Sequence, residues 1–580
     1  MLQFRDKPVT ETQKENVTAM QLRKAATAAA MEIMVLKGEM SLQHMETMSM
    51  EPLQCNLKLL NKIIRSNENT VFGKEHHFSE IRSLEDFRRN VPPSSYEDFA
   101  DYIERTKNGE ENVLTSQKIL GYSRTSGSSG VPKYIPATKA SLQAYVKYTW
   151  TRALALGVRK LKEQGRRYRP GRGLFLSPAT NDRLPDGRLC SNIAEIGAEQ
   201  YGMFYPYVLS IPRRQLFDVS DGDYVYNVYR FGLSDPDVTF IFSVFFSINL
   251  SQIAYLKQNW RMIVDDIEKG TINPDVDMDP ALRAELAKLV RPMPERAAYL
   301  RAQFEQGFDE TLFTRIWPNL TFVSAIGNAS FKPAADKTRE VLSGVPFDFS
   351  IYGASEALIA ACFELERPEM QLLTDSCFYE FVEHNGDQDR YLTLDQLETG
   401  KRYEILITNQ AGLYRYRLKD VIEVCGWRNQ CPLIAFAFRK GQLFNVAGEK
   451  FSEEDARTSI EMLERAHGVS VDHWLFYQDN SVTPSRYALV VESDADIDWD
   501  GCIDELEDYM GRCNKRYPGQ RAKQFISRLV VRRQLPGTHE AWRQSRIAAG
   551  APVGQIKPVH SLENEEKSAF FLSRIVPEAR

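Results

Sequence analysis

The feature that most constrains the fold is a change in the order of predicted elements along the chain. In the first two thirds, short apolar runs alternate with stretches whose apolar residues recur at helical spacing. From Cys377 onward, apolar runs follow one another with only turns between them. The alternation predicts an α/β lobe with a buried sheet, and the consecutive runs predict an antiparallel or barrel-like sheet. The first set of predicted strands is 173–176, 238–246, 320–326 and 347–352, and the second is 378–383, 403–408, 421–425 and 433–438.

Helical spacing is clear in several segments of the first part. The predicted helices lie at residues 15–65, 252–268, 280–290 and 296–304. Beyond residue 438 a compact α+β segment is predicted, with helices at 452–467 and 503–512 and strands at 473–477, 487–491 and 529–533. We therefore expect an α/β protein with two domains. Residues 1–438 form a large N-terminal lobe with sheets, helices and a barrel-like subdomain, and residues 439–580 form a small, mobile C-terminal α+β domain.

Composition excludes several classes of function. The chain has 580 residues, a formal net charge of −5 and a pI near 6.0, so it has no basic surface for a nucleic acid. The most apolar stretch, residues 239–250, is shorter than the roughly 20 residues that span a bilayer, and the first residues do not form a secretory signal. The eight cysteines are scattered without a Cys-x-x-Cys pair, which argues against structural zinc or a disulfide framework. We expect a cytoplasmic protein without membrane insertion, either a monomer or a weak oligomer.

Residues 123–133 form the first motif with chemical meaning, Ser-Arg-Thr-Ser-Gly-Ser-Ser-Gly-Val-Pro-Lys. Glycines allow backbone N–H groups to approach an anion, hydroxyls donate further hydrogen bonds, and Lys133 adds a positive charge. The alternative is a flexible Ser/Gly surface loop. The ordered spacing after a predicted strand favours phosphate binding, and the Pro-Lys-Tyr ending distinguishes the motif from a Walker loop.

Three further motifs are weak when taken alone. Residues 351–356, Ile-Tyr-Gly-Ala-Ser-Glu, place an aromatic ring, a glycine and a carboxylate in one turn, and such a carboxylate can hold Mg²⁺ together with substrate phosphates. Residues 412–420 end in Asp420, which could accept hydrogen bonds from ribose hydroxyls, although a solvated hairpin edge explains the same pattern. Residues 554–558 contain Lys557, which as an isolated lysine predicts only a surface charge.

Taken in order, these motifs resemble the adenylate-forming, firefly luciferase-like superfamily, and within it the acyl-acid amido synthetases of the auxin-responsive Gretchen Hagen family. The resemblance covers nearly the whole chain. It rests on Val91-Pro92-Pro93-Ser94-Ser95-Tyr96-Glu97-Asp98, Thr125-Ser126-Gly127-Ser128-Ser129-Gly130, Ile316-Trp317-Pro318-Asn319, Tyr352-Gly353-Ala354-Ser355-Glu356, Gly412-Leu413-Tyr414-Arg415-Tyr416-Arg417, Glu449-Lys450 and Gln555-Ile556-Lys557.

The resemblance implies a role for each site residue. The nucleotide phosphates would be lined by Ser126, Gly127, Ser128 and Ser129, and the adenine would lie near Tyr352, Gly353, Ala354 and Ser355. Asp420 would bind the ribose, and Glu356 would help to hold Mg²⁺. Lys557 would act in adenylation, and Arg439 with Lys440 would form a hinge at 439–441. The implied cofactors are ATP and Mg²⁺. The family usually has Val-Gly-Asp where this chain has Leu418-Lys419-Asp420, and Lys-x-Pro-Arg where it has Lys557-Pro558-Val559-His560.

The implied function is a two-step ligase reaction on small molecules. A carboxylic acid attacks ATP to give an acyl-adenylate and pyrophosphate, and the amine of an amino acid then displaces AMP. Gly327 and Asn328 are candidate walls of the acid pocket, together with residues 242–246, for which a plain core role is an equal alternative. Two other functions stay open: a ligase that forms an acyl-CoA or another thioester, and a nucleotide-binding protein with a degenerate site.

Overall fold

The computed structural model describes residues 11–126, 132–177, 182–191, 193, 195–197, 205–212, 221–327, 332–384, 386–387, 390–440, 442–493, 497–548, 559–562 and 565–577. Its helices are α1 Glu11–Met50, α2 Pro52–Asn67, α3 Val71–Glu75, α4 Leu84–Asn90, α5 Ala100–Lys107, α6 Lys139–Tyr148, α7 Trp150–Glu163, α8 Tyr205–Val208, α9 Asp221–Ser234, α10 Phe246–Lys269, α11 Pro280–Ala287, α12 Pro294–Glu305, α13 Leu312–Ile316, α14 Lys332–Val341, α15 Glu453–His467, α16 Ile503–Cys513, α17 Tyr517–Ala522, α18 Thr538–Ala548 and α19 Glu565–Leu572.

Nineteen strands accompany these helices in the described residues. They are β1 Ile119–Ser126, β2 Pro132–Thr138, β3 Gly173–Phe175, β4 Leu189–Ser191, β5 Phe240–Phe245, β6 Phe322–Ile326, β7 Phe347–Asp348, β8 Ile351–Gly353, β9 Leu358–Cys362, β10 Met370–Leu372, β11 Cys377–Glu383, β12 Arg402–Asn409, β13 Tyr416–Arg428, β14 Cys431–Arg439, β15 Gln442–Phe444, β16 Phe451–Ser452, β17 His473–Asp479, β18 Arg486–Glu492 and β19 Val530–Arg533.

A parallel sheet in the order β3-β5-β6-β7 lies in the core of the large lobe. Aromatic side chains stack across it, and the rings of Phe240 and Phe322 are 5.5 Å apart and nearly parallel. Helix α10 starts at Phe246, directly after β5, so that the predicted strand and helix meet without a loop. The alternation read from the sequence therefore correctly predicted an α/β lobe.

The consecutive strands of the second half form a seven-stranded antiparallel sheet in the order β11-β12-β13-β14-β10-β9-β8. All four predicted strands of this region are present, but β13 is longer than expected and begins at Tyr416. Two register shifts in its pairing with β14 bend this strand. The motif at 412–420 therefore runs into the sheet and ends at a buried aspartate.

The predicted strand at 347–352 is divided between two sheets. Phe347–Asp348 pairs with β6, whereas Ile351–Gly353 pairs with β9 in the seven-stranded sheet. Ser350 lies between them with φ of 63°, and this left-handed conformation turns the chain. The guanidinium of buried Arg152 holds the turn, because its Nη2 donates to the Asp348 carboxylate at 2.9 Å and to the Ser350 carbonyl at 3.0 Å. The result is that Tyr352 lies at the edge of the second sheet.

The C-terminal segment is built on the three-stranded sheet β17-β18-β19. Helix α15 begins with a capping box, in which the Asp455 N–H donates to Ser452 Oγ and the Ser452 N–H donates to the Asp455 carboxylate. It ends at Gly468, which takes φ of 65°. The elements predicted in this segment are confirmed, and the short helices α17, α18 and α19 were not predicted.

Two findings bear on the chemistry of the chain as a whole. In the described residues, no helix combines the length and apolarity needed to cross a bilayer. All eight cysteines lie in those residues and are free thiols.

Candidate active site

Asp420 is the centre of a buried polar cluster. The residue is 3% exposed. The Tyr352 hydroxyl donates to its Oδ2 at 2.7 Å, and Arg439 Nε donates to its Oδ1 at 2.6 Å. Strand pairing produces this geometry, since Asp420 on β13 lies directly opposite Arg439 on β14. The structure thus brings together three residues that the sequence analysis named for separate roles.

The ionisation of this cluster follows from burial and charge. Burial raises the pKa of the Tyr352 hydroxyl, and the adjacent Asp420 carboxylate raises it further. Burial acts to lower the pKa of Arg439, but the carboxylates of Asp420 and Glu356 outweigh it and hold that pKa above its ordinary value. A carboxylate offers about four lone-pair sites, so Asp420 can accept further hydrogen bonds from a ligand.

Glu356 lies in the turn that follows β8, and its charge acts on Arg439 of this cluster. Its backbone carbonyl accepts a 2.7 Å hydrogen bond from Asn409 Nδ2. Its half-buried carboxylate interacts with Arg439. Burial raises the pKa of Tyr416, and the Glu356 carboxylate raises it further. Among the described residues, Glu356 belongs to no group of three or more metal-ligating side chains. A lone, partly open carboxylate suits Mg²⁺, which takes its remaining ligands from substrate phosphates and water.

The turn from Tyr352 to Ser355 is held against α6. The Tyr145 hydroxyl donates to the Ala354 carbonyl at 2.6 Å, and a Cβ on Gly353 would lie 3.2 Å from the same hydroxyl. The Tyr352 ring meets the ring of Phe436 edge-on, with centroids 5.5 Å apart. The predicted positions of these residues beside an adenine stay predictions.

The glycine-rich turn connects two paired strands. Ser126 ends β1 opposite Pro132, the first residue of β2. Gly127, Ser128 and Ser129 lie outside the described residues, as does the side chain of Ser126. Lys133 Nζ lies 3.5 Å from the carboxylate of Glu97 and 5.0 Å above the ring of Tyr96, so its charge is already partnered in this structure.

The proposed acid pocket is described at one of its two residues. Gly327 is buried at the end of β6, and a Cβ there would lie 2.7 Å from the ring of Phe246 and 2.8 Å from that of Phe349. Phe246 is fully buried, which confirms the core alternative for that residue, whereas Phe242 and Phe245 are half-buried. Asn328 lies outside the described residues.

Lys419, which stands where the family usually has glycine, adopts φ of 63°. Its carbonyl accepts a 2.7 Å hydrogen bond from the N–H of Lys440, and Lys440 Nζ donates to Glu404 at 2.8 Å. The position therefore keeps the left-handed backbone that a glycine permits, at a conformational cost. The hinge role of Arg439 and Lys440 stays a prediction.

Lys450, which sequence reasoning gave no role, also faces this cluster. Burial and the charge of Arg439 lower its pKa to about 8, while the carboxylates of Glu356 and Asp420 act in the opposite direction. Arg516 stands next to it, and Arg516 in turn interacts with Arg124 on β1. The signal was present in the sequence, because Glu449-Lys450 is one of the motifs that carry the family resemblance.

Lys557 lies outside the described residues, which resume at Val559. The segment after it adds to the sheet of the small domain, where the Phe476 N–H donates to the His560 carbonyl at 3.0 Å. The ring of His560 stacks on Trp474 with centroids 4.0 Å apart. The chain is thus anchored just beyond the residue predicted to act in adenylation.

Comparison of the fold defines a class. The structure matches that of GH3.15 acyl acid amido synthetase with a TM-score of 0.63 at 22% identity, over 92% of this chain and 96% of that chain. A second structure of that protein, in complex with 2,4-DB, matches with a TM-score of 0.64 at 20% identity, over 93% of this chain and 96% of that one. The chain therefore has the fold of an acyl acid amido synthetase.

Comparison of the sequence identifies the family. Residues 41–347 match the GH3 family N-terminal domain, residues 370–439 the central domain and residues 454–566 the C-terminal domain. The chain belongs to the GH3 family. It is 26% identical to indole-3-acetic acid-amido synthetase GH3.2 of Arabidopsis thaliana, over 79% of this chain and 87% of that protein. It is 27% identical to indole-3-acetic acid-amido synthetase GH3.8 of Oryza sativa subsp. indica, over 86% of each.

Proposed function

We propose that this protein is an ATP-dependent ligase that adenylates a small carboxylic acid and transfers the acyl group to the amine of an amino acid. The observation that carries the proposal is the match of all three GH3 domains in order along the chain. Tyr352, Asp420 and Arg439 also form one buried cluster, and the half-buried carboxylate of Glu356 interacts with it. Relatives of this chain are named amido synthetases, and amide formation through an adenylate needs a site for a nucleotide beside a site for an acid.

The nucleotide would lie across the Asp420 cluster and the glycine-rich turn. Asp420 keeps lone pairs free for the ribose hydroxyls, and Tyr352, Gly353, Ala354 and Ser355 would border the adenine. Ser126, Gly127, Ser128 and Ser129 would donate hydrogen bonds to the phosphates. Support for an anion here comes from the basic side chains that interact electrostatically near Asp420, namely Arg439, Lys450 and Arg516, with Arg124 acting on Arg516.

Mg²⁺ bound by Glu356 and the phosphates would offset charge during adenylation. Glu356 fits that use because its carboxylate is half-open and lies in a cluster rich in positive charge, where phosphates would also bind. Gly327 and Asn328 would border the acid, which must approach the α-phosphate in line with the leaving pyrophosphate.

The two steps would use two arrangements of the domains. Residues 1–438 would hold the substrates, and residues 439–580 would rotate about Arg439 and Lys440 to present different side chains to one site. Lys557 would neutralise charge on the phosphates in the first step. The eight free thiols support a cytoplasmic location, and a monomer or weak oligomer remains the prediction for the assembly.

Product analysis tests the proposal. The full-length protein is incubated with ATP, Mg²⁺, an amino-acid mixture and single carboxylic acids, including aryl acetates, benzoates and fatty acids. We expect AMP rather than ADP, and a product whose mass is the sum of acid and amino acid minus water. A parallel reaction with coenzyme A in place of the amino acids distinguishes a thioester ligase, which would consume coenzyme A and leave the amino acids unchanged.

A further inference from the structure

Three side chains with different metal-binding groups meet where helices α15 and α16 of the C-terminal segment pack together. His467 is the last residue of α15, Cys502 immediately precedes α16, and Glu505 lies in the first turn of α16. One ligand atom from each of the three lies within 4.8 Å of the other two, and the described residues contain no other such group. His467 and Cys502 are 35 residues apart, so no motif of closely spaced ligands predicts the group.

The backbone fixes the position of each of these residues. Helix α15 ends directly after His467, because Gly468 takes φ of 65°. The Cys502 N–H donates to the Asp498 carbonyl at 3.1 Å, which holds the turn that leads into α16. Cys502 itself has near-helical backbone angles, so it lies on the same face of α16 as Glu505, three residues further on. The fold therefore directs all three side chains to one place.

The carboxylate of Glu505 is oriented by a further group. Tyr509, one turn along α16, donates its hydroxyl to Glu505 Oε1. The other oxygen, Oε2, lies 2.8 Å from His467 Nε2. Metal sites commonly contain such outer partners, which hold a ligand in the orientation that the metal needs. Tyr509 thus has the position of an orienting residue.

The distances between the ligand atoms fit Zn²⁺ with a small adjustment. At a tetrahedral Zn²⁺, bonds of about 2.3 Å to sulfur and about 2.0–2.1 Å to nitrogen place these two atoms about 3.6 Å apart. Cys502 Sγ and His467 Nε2 are 3.6 Å apart in the structure. The imidazole nitrogen and the carboxylate oxygen of Glu505 must separate from 2.8 Å to about 3.3 Å, which a small rotation of the half-buried Glu505 side chain achieves.

The chemistry of the three groups selects the metal. Zn²⁺ takes sulfur, nitrogen and oxygen ligands in proteins, whereas Mg²⁺ and Ca²⁺ take oxygen. A Cys502 thiolate and the Glu505 carboxylate would together balance the double charge of the ion. Cys502 is 7% exposed and His467 is exposed, so the group has a buried side and a side through which an ion can enter.

We propose that His467, Cys502 and Glu505 bind one Zn²⁺ ion, with a water molecule as the fourth ligand. The ion replaces the hydrogen bond between His467 and Glu505, and the proton of the Cys502 thiol passes to the solvent. Bound there, it joins the end of α15 to the start of α16 and stabilises the C-terminal segment. The site goes beyond the proposed ligase function and does not depend on it, because none of the three residues has a role in that reaction.

Co²⁺ is the probe that detects the site, because a Co²⁺ ion bound to a thiolate produces a charge-transfer absorption band in the near ultraviolet. The full-length protein is reduced, freed of metal with a chelator and titrated with Co²⁺ in the absence of ATP. We expect a band that saturates at about one equivalent and disappears when Zn²⁺ is added, since Zn²⁺ binds more tightly to such ligands. Co²⁺ held by carboxylates elsewhere in the protein does not produce this band.

Variants assign the band to this group. Cys502→Ser should abolish it, and His467→Gln and Glu505→Gln should each weaken Zn²⁺ binding by about a hundredfold or more in competition with a zinc dye. Tyr509→Phe should weaken binding by about tenfold, because Glu505 loses the partner that orients it. Cys513→Ser is the matched control. It removes a thiol at the other end of α16 and should change neither the band nor the affinity.

Stability gives a second measurement. Zn²⁺ should raise the midpoint of thermal unfolding of the wild type and leave that of Cys502→Ser unchanged. Absence of a saturable band in the wild type would overturn the site and show that the three side chains form only a hydrogen-bonded group. A band that survives in Cys502→Ser and is lost in Cys513→Ser would place the metal at another thiol. If circular dichroism shows that Cys502→Ser is unfolded, an unchanged Zn²⁺ affinity in Glu505→Gln would equally overturn the proposal.

Discussion

At Asp420 the protein holds one carboxylate between a neutral hydroxyl and a guanidinium, with lone pairs left over for a ligand. Arg439 reaches it from the neighbouring strand β14, and Tyr352 reaches it from β8, the edge strand of the same sheet. Fixed donors on either side hold the carboxylate in place before any ligand arrives. Such preorganisation lowers the cost of binding, since little must be ordered when the ribose enters.

Asp420→Asn should weaken nucleotide binding. A hydrogen bond to a charged acceptor is worth about 1.5–3 kcal/mol, so affinity for a non-hydrolysable ATP analogue should fall by roughly tenfold to a hundredfold in calorimetric titration. Asp500→Asn, which changes an exposed carboxylate of the C-terminal segment, is the control and should leave the affinity unchanged. An affinity that is unchanged in Asp420→Asn would argue against a ribose contact.

Lys419→Gly should stabilise the protein. Lys419 has φ of 63°, and this left-handed conformation costs a residue with a Cβ about 1–2 kcal/mol relative to glycine. Part of the gain from glycine is lost, because glycine has the larger conformational entropy in the unfolded chain. We expect a net gain of about 0.5–1 kcal/mol in chemical denaturation. The same substitution at exposed Lys58 within α2 should cost about 1 kcal/mol. A loss of stability at both positions would contradict the strain at Lys419.

At the scale of elements, local pattern predicts most of the fold. Apolar runs located the strands of the parallel sheet and strands β11 to β14, and helical spacing located α10, because apolar residues on one buried face recur at a regular spacing. Strands β9 and β10 and helices α7 and α9 were not predicted. The break at Ser350 could not be found in this way, since it depends on Arg152, which is far away in sequence. Helices α17 to α19 are short, and only contacts with the rest of the domain stabilise helices of that length.

In the candidate site too, motifs identified individual residues, whereas their contacts depend on the fold. Family motifs named Tyr352, Asp420 and Glu356, and the structure gathers these residues. That Arg439 binds Asp420 depends on strand register, which no motif states. Lys450 was overlooked because a single lysine has no periodicity, and its surroundings exist only in the folded chain.

His539, on helix α18, packs against the small sheet as a buried, neutral side chain. His539 is 8% exposed, its ring stacks on His473 with centroids 4.5 Å apart, and it meets Phe571 edge-on. Burial, and then the nearby charges of His473 and His560, lower its pKa to about 3. In the unfolded chain the same group protonates near pH 6.5. Since the unfolded state binds the extra proton between these values, this contribution to stability is complete above about pH 6.5 and is lost as the pH falls toward 3.

His539→Phe should therefore flatten the acid dependence of stability. The free energy of unfolding of each full-length protein is measured in urea at pH 7.5 and at pH 5. Between these two pH values it should fall by about 2 kcal/mol more in the wild type than in the variant. The exposed His77, changed to Gln, is the control and should follow the wild type. Parallel curves for wild type and His539→Phe would show that His539 is not held neutral.

At the scale of the whole molecule, side chains of the N-terminal part of the chain contact the C-terminal segment directly. Lys337 Nζ on α14 donates to the Val482 carbonyl at 3.0 Å, and Ser251 Oγ donates to the Gln524 carbonyl at 3.0 Å. In this arrangement Lys450 faces Asp420 and Arg439. The proposed rotation would present Lys557 to the site in one arrangement only, so Lys557 should matter in only one step.

Lys557→Ala should depress adenylation far more than amide formation. The positive charge of Lys557 would stabilise the negative charge on the phosphates in the transition state of adenylation. Without it, the rate of ATP–pyrophosphate exchange should fall by about a hundredfold or more. Aminolysis of an acyl-adenylate supplied to the enzyme should stay within a few-fold of the wild type. Equal losses in both steps would refute this role of Lys557 and favour one fixed arrangement of the domains.

The measurement that tests the central claim most directly is ATP–pyrophosphate exchange by the wild-type protein against a panel of carboxylic acids without any amine. The account predicts exchange that depends on one class of acid, requires Mg²⁺ and is strongly reduced in Asp420→Asn. Absence of exchange with every acid, in a protein that binds ATP, would contradict adenylation and leave a nucleotide-binding protein without ligase activity.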